Sequence, residues 1–241
     1  MAVELADLSQ VVEPMRAPLK EYAGLAADLA GASGKALTLF GAITTDGFDR
    51  ARHTARSVLV VTRVDLGMLR RLAEHGVKLG KARIAAPLVM TPEYIANSLD
   101  TFPLEFIEIK QQHITVFGED CFDSISLEDA HVRLQCEREL KVIQMGLRQG
   151  LLAAAGRYKL LGTLEQDAGE RLLRTLRGML WLKGKRDARP AQEVIREIEE
   201  VAGRKLAGIR SALAPGAEQG WSGFERLYGD VEALEKIADA W

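Results

Sequence analysis

Two kinds of periodicity divide the chain. Up to about residue 118, short apolar runs alternate with helical stretches; from about residue 127 the period is helical throughout. Residues 14–30 begin at Pro14 and carry Leu19, Tyr22, Leu25, Ala26 and Leu29 at helical spacing, until Gly31-Ala32-Ser33-Gly34 breaks the pattern. Residues 36–40 and 57–62 read as strands on either side of a polar loop. Leu66, Leu69, Leu72, Ala73 and Val77 share one helical face over 65–79, and Gly76 and Gly80 mark its end. Ile84–Met90 reads as an edge strand, because Pro87 lacks the N–H that a central strand must donate. Thr91-Pro92-Glu93 has the cap and the proline of a helix start and predicts a helix to about Ser98. Leu104-Glu105-Phe106-Ile107-Glu108-Ile109 is rich in β-formers and reads as a strand, as does Ile114–Phe117, which ends at Gly118.

The second half repeats helical spacing. Val132, Cys136, Leu140, Ile143, Leu147 and Leu151 step by three or four residues, and so do Ile195, Ile198, Ala202, Leu206, Ile209 and Leu213. Leu172, Leu173, Leu176 and Leu180 mark a helix over Leu164–Trp181, and Phe224, Tyr228, Val231, Leu234 and Ile237 mark one near the C-terminus. Breaks fall at Gly162, at Gly184–Pro190 and at Pro215-Gly216. Helices joined by short turns predict an antiparallel bundle. The expected architecture is therefore α+β: strands with flanking helices, then a C-terminal antiparallel helical bundle. The boundary falls between residues 120 and 127, dividing the chain into 1–124 and 125–241.

Composition narrows the function classes. The chain has 241 residues, 47% hydrophobic and 27% charged, with a formal net charge of −2. This is globular composition with ample core material. Near-neutral charge speaks against bulk capture of nucleic acid or of anionic membrane. No window approaches the roughly 18 apolar residues of a membrane span, and Glu4 and Asp7 place acids where a leader would be basic; a cytoplasmic protein is expected. Cys121 and Cys136 have no His or Cys at metal-site spacing, so two reduced thiols are expected, with no metal and no cofactor.

Candidate chemistry clusters around the first two strands. The run Ala36-Leu37-Thr38-Leu39-Phe40 ends at Gly41-Ala42, a polar loop follows, and Val58-Leu59-Val60-Val61 is the second run. Arg50, Arg52, His53 and Arg56 crowd the intervening loop, and the three arginines are candidate anion ligands. Arg171, Arg174, Arg177, Lys183, Lys185, Arg186 and Arg189 form a second basic stretch, read as an exposed helix and loop. His75, His113 and His131 are scattered, and none has a nearby nucleophile with a third orienting group.

The strand–Gly turn–loop–strand layout, followed by a helical bundle, resembles the polymerase-β-type nucleotidyltransferases, in particular the minimal bacterial and aminoglycoside nucleotidyltransferase branches. The resemblance implies a mixed sheet with flanking helices, a Gly-Ser turn after the first strand, Asp-x-Asp at the second, and a third carboxylate on a later neighbouring strand. The three carboxylates hold two Mg²⁺ ions for nucleotidyl transfer, and the turn presents its hydroxyl and amides to phosphate oxygens. Alternate strand residues point to one side, which is why the two Asp are spaced by two. At the matching positions this sequence has Gly41-Ala42, then Ala55 and Ser57, then Glu105. Neither Asp46 and Asp49 in the loop nor Asp65 after the second strand rebuilds the set. The resemblance thus implies a pseudoenzyme with a degenerate cleft at Gly41, Ala42, Ala55, Ser57 and Glu105, weak or absent nucleotide binding, and a binding or regulatory role. Two alternatives stay open: an active metal-dependent nucleotidyltransferase with unusual ligands, and an antitoxin-like or structural interaction module acting on a protein partner or as a homodimer. If Ala55, Ser57 and Glu105 share one cleft, aspartates at 55 and 57 should create a divalent-metal site.

Overall fold

The computed structural model describes residues 5–45, 47–214 and 220–241. The expected break at Pro215-Gly216, together with Glu4 and Asp46, lies outside them. Two compact units divide the chain: Met1–Leu99 with Glu108–Ser126, and Asp100–Ile107 with Leu127–Trp241. Among the described residues, no helix is long and apolar enough to cross a membrane.

The first unit is built on a four-stranded mixed sheet, formed by β1 (Gly34–Phe40), β2 (Arg56–Val61), β3 (Leu88–Met90) and β4 (His113–Gly118) in the order β3-β2-β1-β4. β1 runs antiparallel to β2 and β4, and β3 runs parallel to β2. The central strands are covered on both faces: Ala36–Phe40 and Ser57–Val61 are buried without interruption. That explains why they read as continuous apolar runs rather than as alternating ones. Helix α1 (Glu13–Ala30) starts on Pro14, whose fixed φ suits a first turn. It buries Met15, Leu19, Tyr22, Ala23 and Ala26 in a core shared with Leu37, Leu39, Ala55, Leu59 and Val61. Ahead of it, Ala6 donates to the Val116 carbonyl, so the N-terminal segment occupies part of the β4 edge.

Three sequence expectations need correction in or beside this unit. The strand expected over Ile84–Met90 shrinks to Leu88–Met90, with Ile84 making only an isolated bridge to Ala55. Pro87, without an N–H, separates the two. The helix expected over 65–79 is two helices, α2 (Leu66–Glu74) and α3 (Gly76–Lys81), the first capped by Asp65. Thr91 caps α4 (Pro92–Ala96) as expected, its hydroxyl accepting from Tyr94 N. The largest correction concerns Leu104–Ile109, which is not a strand but part of helix α5 (Pro103–Gln111). Pro103 opens its first turn, and the orphan N–H of Leu104 donates to Gln135 Oε1 at 2.8 Å. Leu104, Phe106, Ile107 and Ile109 are all buried. A short helix apolar on several sides shows no amphipathic period, so its β-rich composition misleads.

The second unit contains, among the described residues, the first half of α5 and five further α-helices: α6 (Asp129–Ala154), α7 (Leu161–Leu182), α8 (Ala191–Ala202), α9 (Ala207–Leu213) and α10 (Trp221–Asp239). α7 packs against α6, α8, α9 and α10. Gly178 leaves room for a neighbour: a Cβ there would lie 2.2 Å from a Leu104 methyl and 2.8 Å from Cys136 Sγ. The periodic run from Ile195 to Leu213 is broken in two at Gly203, which ends α8 in the left-handed conformation at φ 63°.

Two buried carboxylates hold that break. Asp230 accepts from Gly208 N and Ile209 N at the start of α9. Glu199 accepts from Leu206 N at 3.0 Å and from both Arg210 Nε and Nη2. The Arg210 hydrogen bonds, working against the cost of burial and helped by Leu206 N and Lys205, hold the Glu199 carboxyl down at about 2. A carboxyl depressed in the fold stabilises it above the ordinary value of 4.5 and loses that contribution as pH falls towards 2. Glu199→Gln should therefore be less stable than wild type at neutral pH and show a shallower loss of stability through that acid window. Urea midpoints measured across the window test this; parallel wild-type and variant profiles would refute it.

Candidate functional site

The β1–β2 register brings the motif positions together. Phe40 pairs with Arg56 and Leu39 with Ser57, so Gly41 follows directly at the end of β1 beside Ala55. Gly41 has φ 74° and opens a 3₁₀ turn, Gly41–Thr44, that includes Ala42. Thr44 Oγ1 donates back to the Gly41 carbonyl at 2.7 Å, and Thr45 Oγ1 to that of Ala42 at 2.8 Å, so the turn is closed on itself.

Ala55 and Ser57 lie on the α1 side of the sheet and are 1% and 2% exposed. Ala55 belongs to the core, with its N–H donating to Arg83 O and its carbonyl accepting from Ala85 N. The Ser57 hydroxyl is 2.8 Å from the phenol of Tyr22, itself 1% exposed. Burial pushes the Tyr22 phenol up to about 12 against the opposing hydrogen bond from Ser57, so the pair is neutral. Tyr22 is a residue that pattern reading missed: at helical spacing it looks like any other core position of α1.

Glu105 is on α5 in the second unit. Its Oε1 accepts from Arg174 at 3.0 Å and its Oε2 from Gln135 at 2.9 Å. The strand beside β2, where the resemblance would put a third carboxylate, is β3 with Leu88, Val89 and Met90. Two other acids near the loop, Asp65 and Asp49, are structural. Asp65 accepts from Gly67 N and Met68 N as the α2 cap, and the Gly67 bond in particular holds its carboxyl low. Asp49 accepts from Ala51 N in a local turn. Among the described residues, no three His, Cys, Asp or Glu side chains gather in a metal-binding cluster.

The three candidate anion ligands have separate fates. Arg50 and Arg52 are exposed on the loop. Arg56 stacks over Phe40 at 4.4 Å and donates to Glu108 Oε1 at 2.8 Å. The second basic stretch is largely committed inside its own unit: Arg171 to Glu139, Arg174 to Glu105, Lys185 and Arg189 to Glu197, Arg186 to Asp129, and Lys183 over the Trp241 ring. His113 bonds the Ile109 carbonyl and Asp120, tying the start of β4 to the loop that follows it.

The fold is similar to that of the spectinomycin adenyltransferase AAD(9) from Enterococcus faecialis, whose crystal structure contains ATP and spectinomycin. The TM-score is 0.58 over 92% of this chain and 98% of that one. The chain has a nucleotidyltransferase-like fold. Sequence identity is 9%, so the likeness is one of fold alone. No family model matches the sequence, and no curated protein matches it. The expected α+β architecture, a mixed sheet with flanking helices and then C-terminal helices, is the one observed.

Proposed function

We propose that this protein is a nucleotidyltransferase-like protein without transferase activity, with a binding or regulatory role. The observation that carries this reading is the buried Ser57–Tyr22 hydroxyl pair. Where the resemblance implies a metal-holding carboxylate, the chain has a neutral hydroxyl satisfied by a tyrosine from α1. Ala55, two residues earlier, offers no oxygen beyond its backbone, and β3 carries no acid. Divalent metals in such sites need several hard oxygen ligands to activate an attacking hydroxyl and hold a triphosphate.

The rival reading is an active enzyme with unusual ligands. The structural neighbour is named for adenylating spectinomycin, which supplies a concrete acceptor to try. The expected outcome is no pyrophosphate release from any of the four nucleoside triphosphates with Mg²⁺ or Mn²⁺, with or without spectinomycin. Metal-dependent release that follows the protein through purification would overturn the proposal.

One observation favours a second reading, an interaction module. α6 buries Val132, Cys136, Leu140, Ile143 and Leu147 on one face, while Leu134, Met145 and Leu152 are exposed on the opposite one. A partner docking on this face would bury those three side chains, between which Arg138, Lys141 and Gln149 are also exposed. Sedimentation of the purified chain over a concentration series separates self-association through this face from a monomer that waits for another partner.

A further inference from the structure

Alternation along β2 turns Arg56 to the face opposite Ala55 and Ser57. There it meets three things at once. The Phe40 ring, its cross-strand neighbour, lies 4.4 Å from the guanidinium carbon. The Glu108 carboxylate accepts its Nη1 proton at 2.8 Å. That same carboxylate oxygen lies 3.2 Å from where a Cβ on Gly41 would be, and Arg56 Nη1 lies 3.6 Å from it.

We propose that this is an oxyanion site kept filled by the chain's own Glu108, so that a ligand phosphate or carboxylate group reaches Arg56 and the Gly41 turn only by displacing that side chain. The inference rests on the binding role proposed above and specifies its ligand chemistry. Three features distinguish it from an ordinary surface ion pair. Stacking on Phe40 positions the guanidinium independently of its carboxylate partner, so it stays in place when that partner leaves. Gly41 has no side chain and a positive φ, which provides the space that Glu108 Oε1 now uses. Exposure is unequal: the Glu108 side chain is 13% exposed and that of Arg56 37%. The cation thus keeps an open edge where an incoming anion makes first contact. A planar guanidinium suits both carboxylate and phosphate oxygens. A tethered carboxylate competes at high effective concentration, so apparent affinity in the wild type is reduced by the fraction of time Glu108 is docked.

Inorganic pyrophosphate and citrate are the two probes, followed by calorimetry on wild type, Glu108→Gln, Glu108→Ala and Glu108→Gln with Arg56→Gln. Removing the tethered charge should raise pyrophosphate affinity by about tenfold or more, and the added Arg56→Gln should abolish the gain. An equal gain for citrate identifies a general oxyanion site; a gain for pyrophosphate alone identifies a phosphate site. No gain in either single variant, or a gain that survives Arg56→Gln, would overturn the inference. A test that needs no variant uses the wild type: titrated pyrophosphate should move the Arg56 Nε–H resonance ahead of those of Arg50 and Arg52, and an unmoved Arg56 signal at saturating probe overturns the inference equally. Nucleoside triphosphate turnover by the wild type would instead overturn the proposal of inactivity and leave this site standing.

Discussion

Ser57→Asp is expected to destabilise the protein by about 3–5 kcal/mol at neutral pH, and Mg²⁺ or Mn²⁺ is expected not to restore it. Position 57 is 2% exposed and its hydroxyl is spent on Tyr22. A carboxylate there is taken out of water and, among the described residues, meets the Tyr22 phenol as its side-chain hydrogen-bond partner. It must either stay charged at high cost or protonate with a strongly raised pKa. Ala55→Asp adds a second carboxylate at a position 1% exposed in the same core. Like charges side by side raise the cost further. Had these positions lined an open cleft, the double variant would gain a metal site and be stabilised by mass action on adding metal. The expected result is the opposite: a lowered melting temperature, flat against metal concentration. A metal-dependent recovery towards the wild-type value would show that the α1 side of β2 opens, and with it the argument for an inactive protein would fall. Tyr22→Phe provides the control. It strands the Ser57 hydroxyl without adding charge, and should cost only about 1–2 kcal/mol.

Gly118→Ala is the second large effect, expected to cost about 3 kcal/mol or more. Gly118 closes β4 at φ 80°, opposite Ala36 in the β1–β4 register. A Cβ at this position would sit 1.8 Å from the Lys35 carbonyl oxygen and 2.8 Å from the Ala36 Cα. Both are backbone atoms of the central strand, so no side chain can swing aside. Relief requires β4 to shift away from β1, which breaks the register that also aligns Leu37 with Phe117. Gly146 is the fitting comparison: a Cβ there meets nothing within 4 Å, and it sits mid-helix in α6. Gly146→Ala should be neutral or stabilising by up to about 1 kcal/mol. Denaturant midpoints for the two variants check both signs, and equal midpoints would contradict the packing argued here.

An element or contact is legible in the sequence when the interacting residues lie close together along the chain. Thr91 as a cap, Pro14 and Pro92 at helix starts, and Gly118 at a strand end act within a few residues, and each was legible. Helical spacing from Val132 to Leu147 marked the buried face of α6 correctly, because an amphipathic surface helix writes its orientation into its period. The same logic failed at Leu104–Ile109, where burial on several sides erased the period and composition pointed to a strand. It failed again at Gly203, where apolar steps of three and four run smoothly across two helices. The glycine was visible there, but the carboxylates that anchor the break, Glu199 and Asp230, were not.

What the sequence by itself determined is the succession of elements, the mixed strand-and-helix first half, the helical second half and the Gly41 turn between two apolar runs. These follow from local backbone preferences and from which positions repeat at the period of a strand or a helix. Only the tertiary structure decided the chemistry of the candidate site. Tyr22 meets Ser57 across 35 residues, Arg56 meets Glu108 across 52, and Glu105 is taken by Arg174 across 69. A side chain's spacing says which face of its element it occupies. Whether that face meets solvent, a tyrosine or an opposite charge is set by long-range packing, where many pairings satisfy the same apolar pattern and the energy of all of them together selects one.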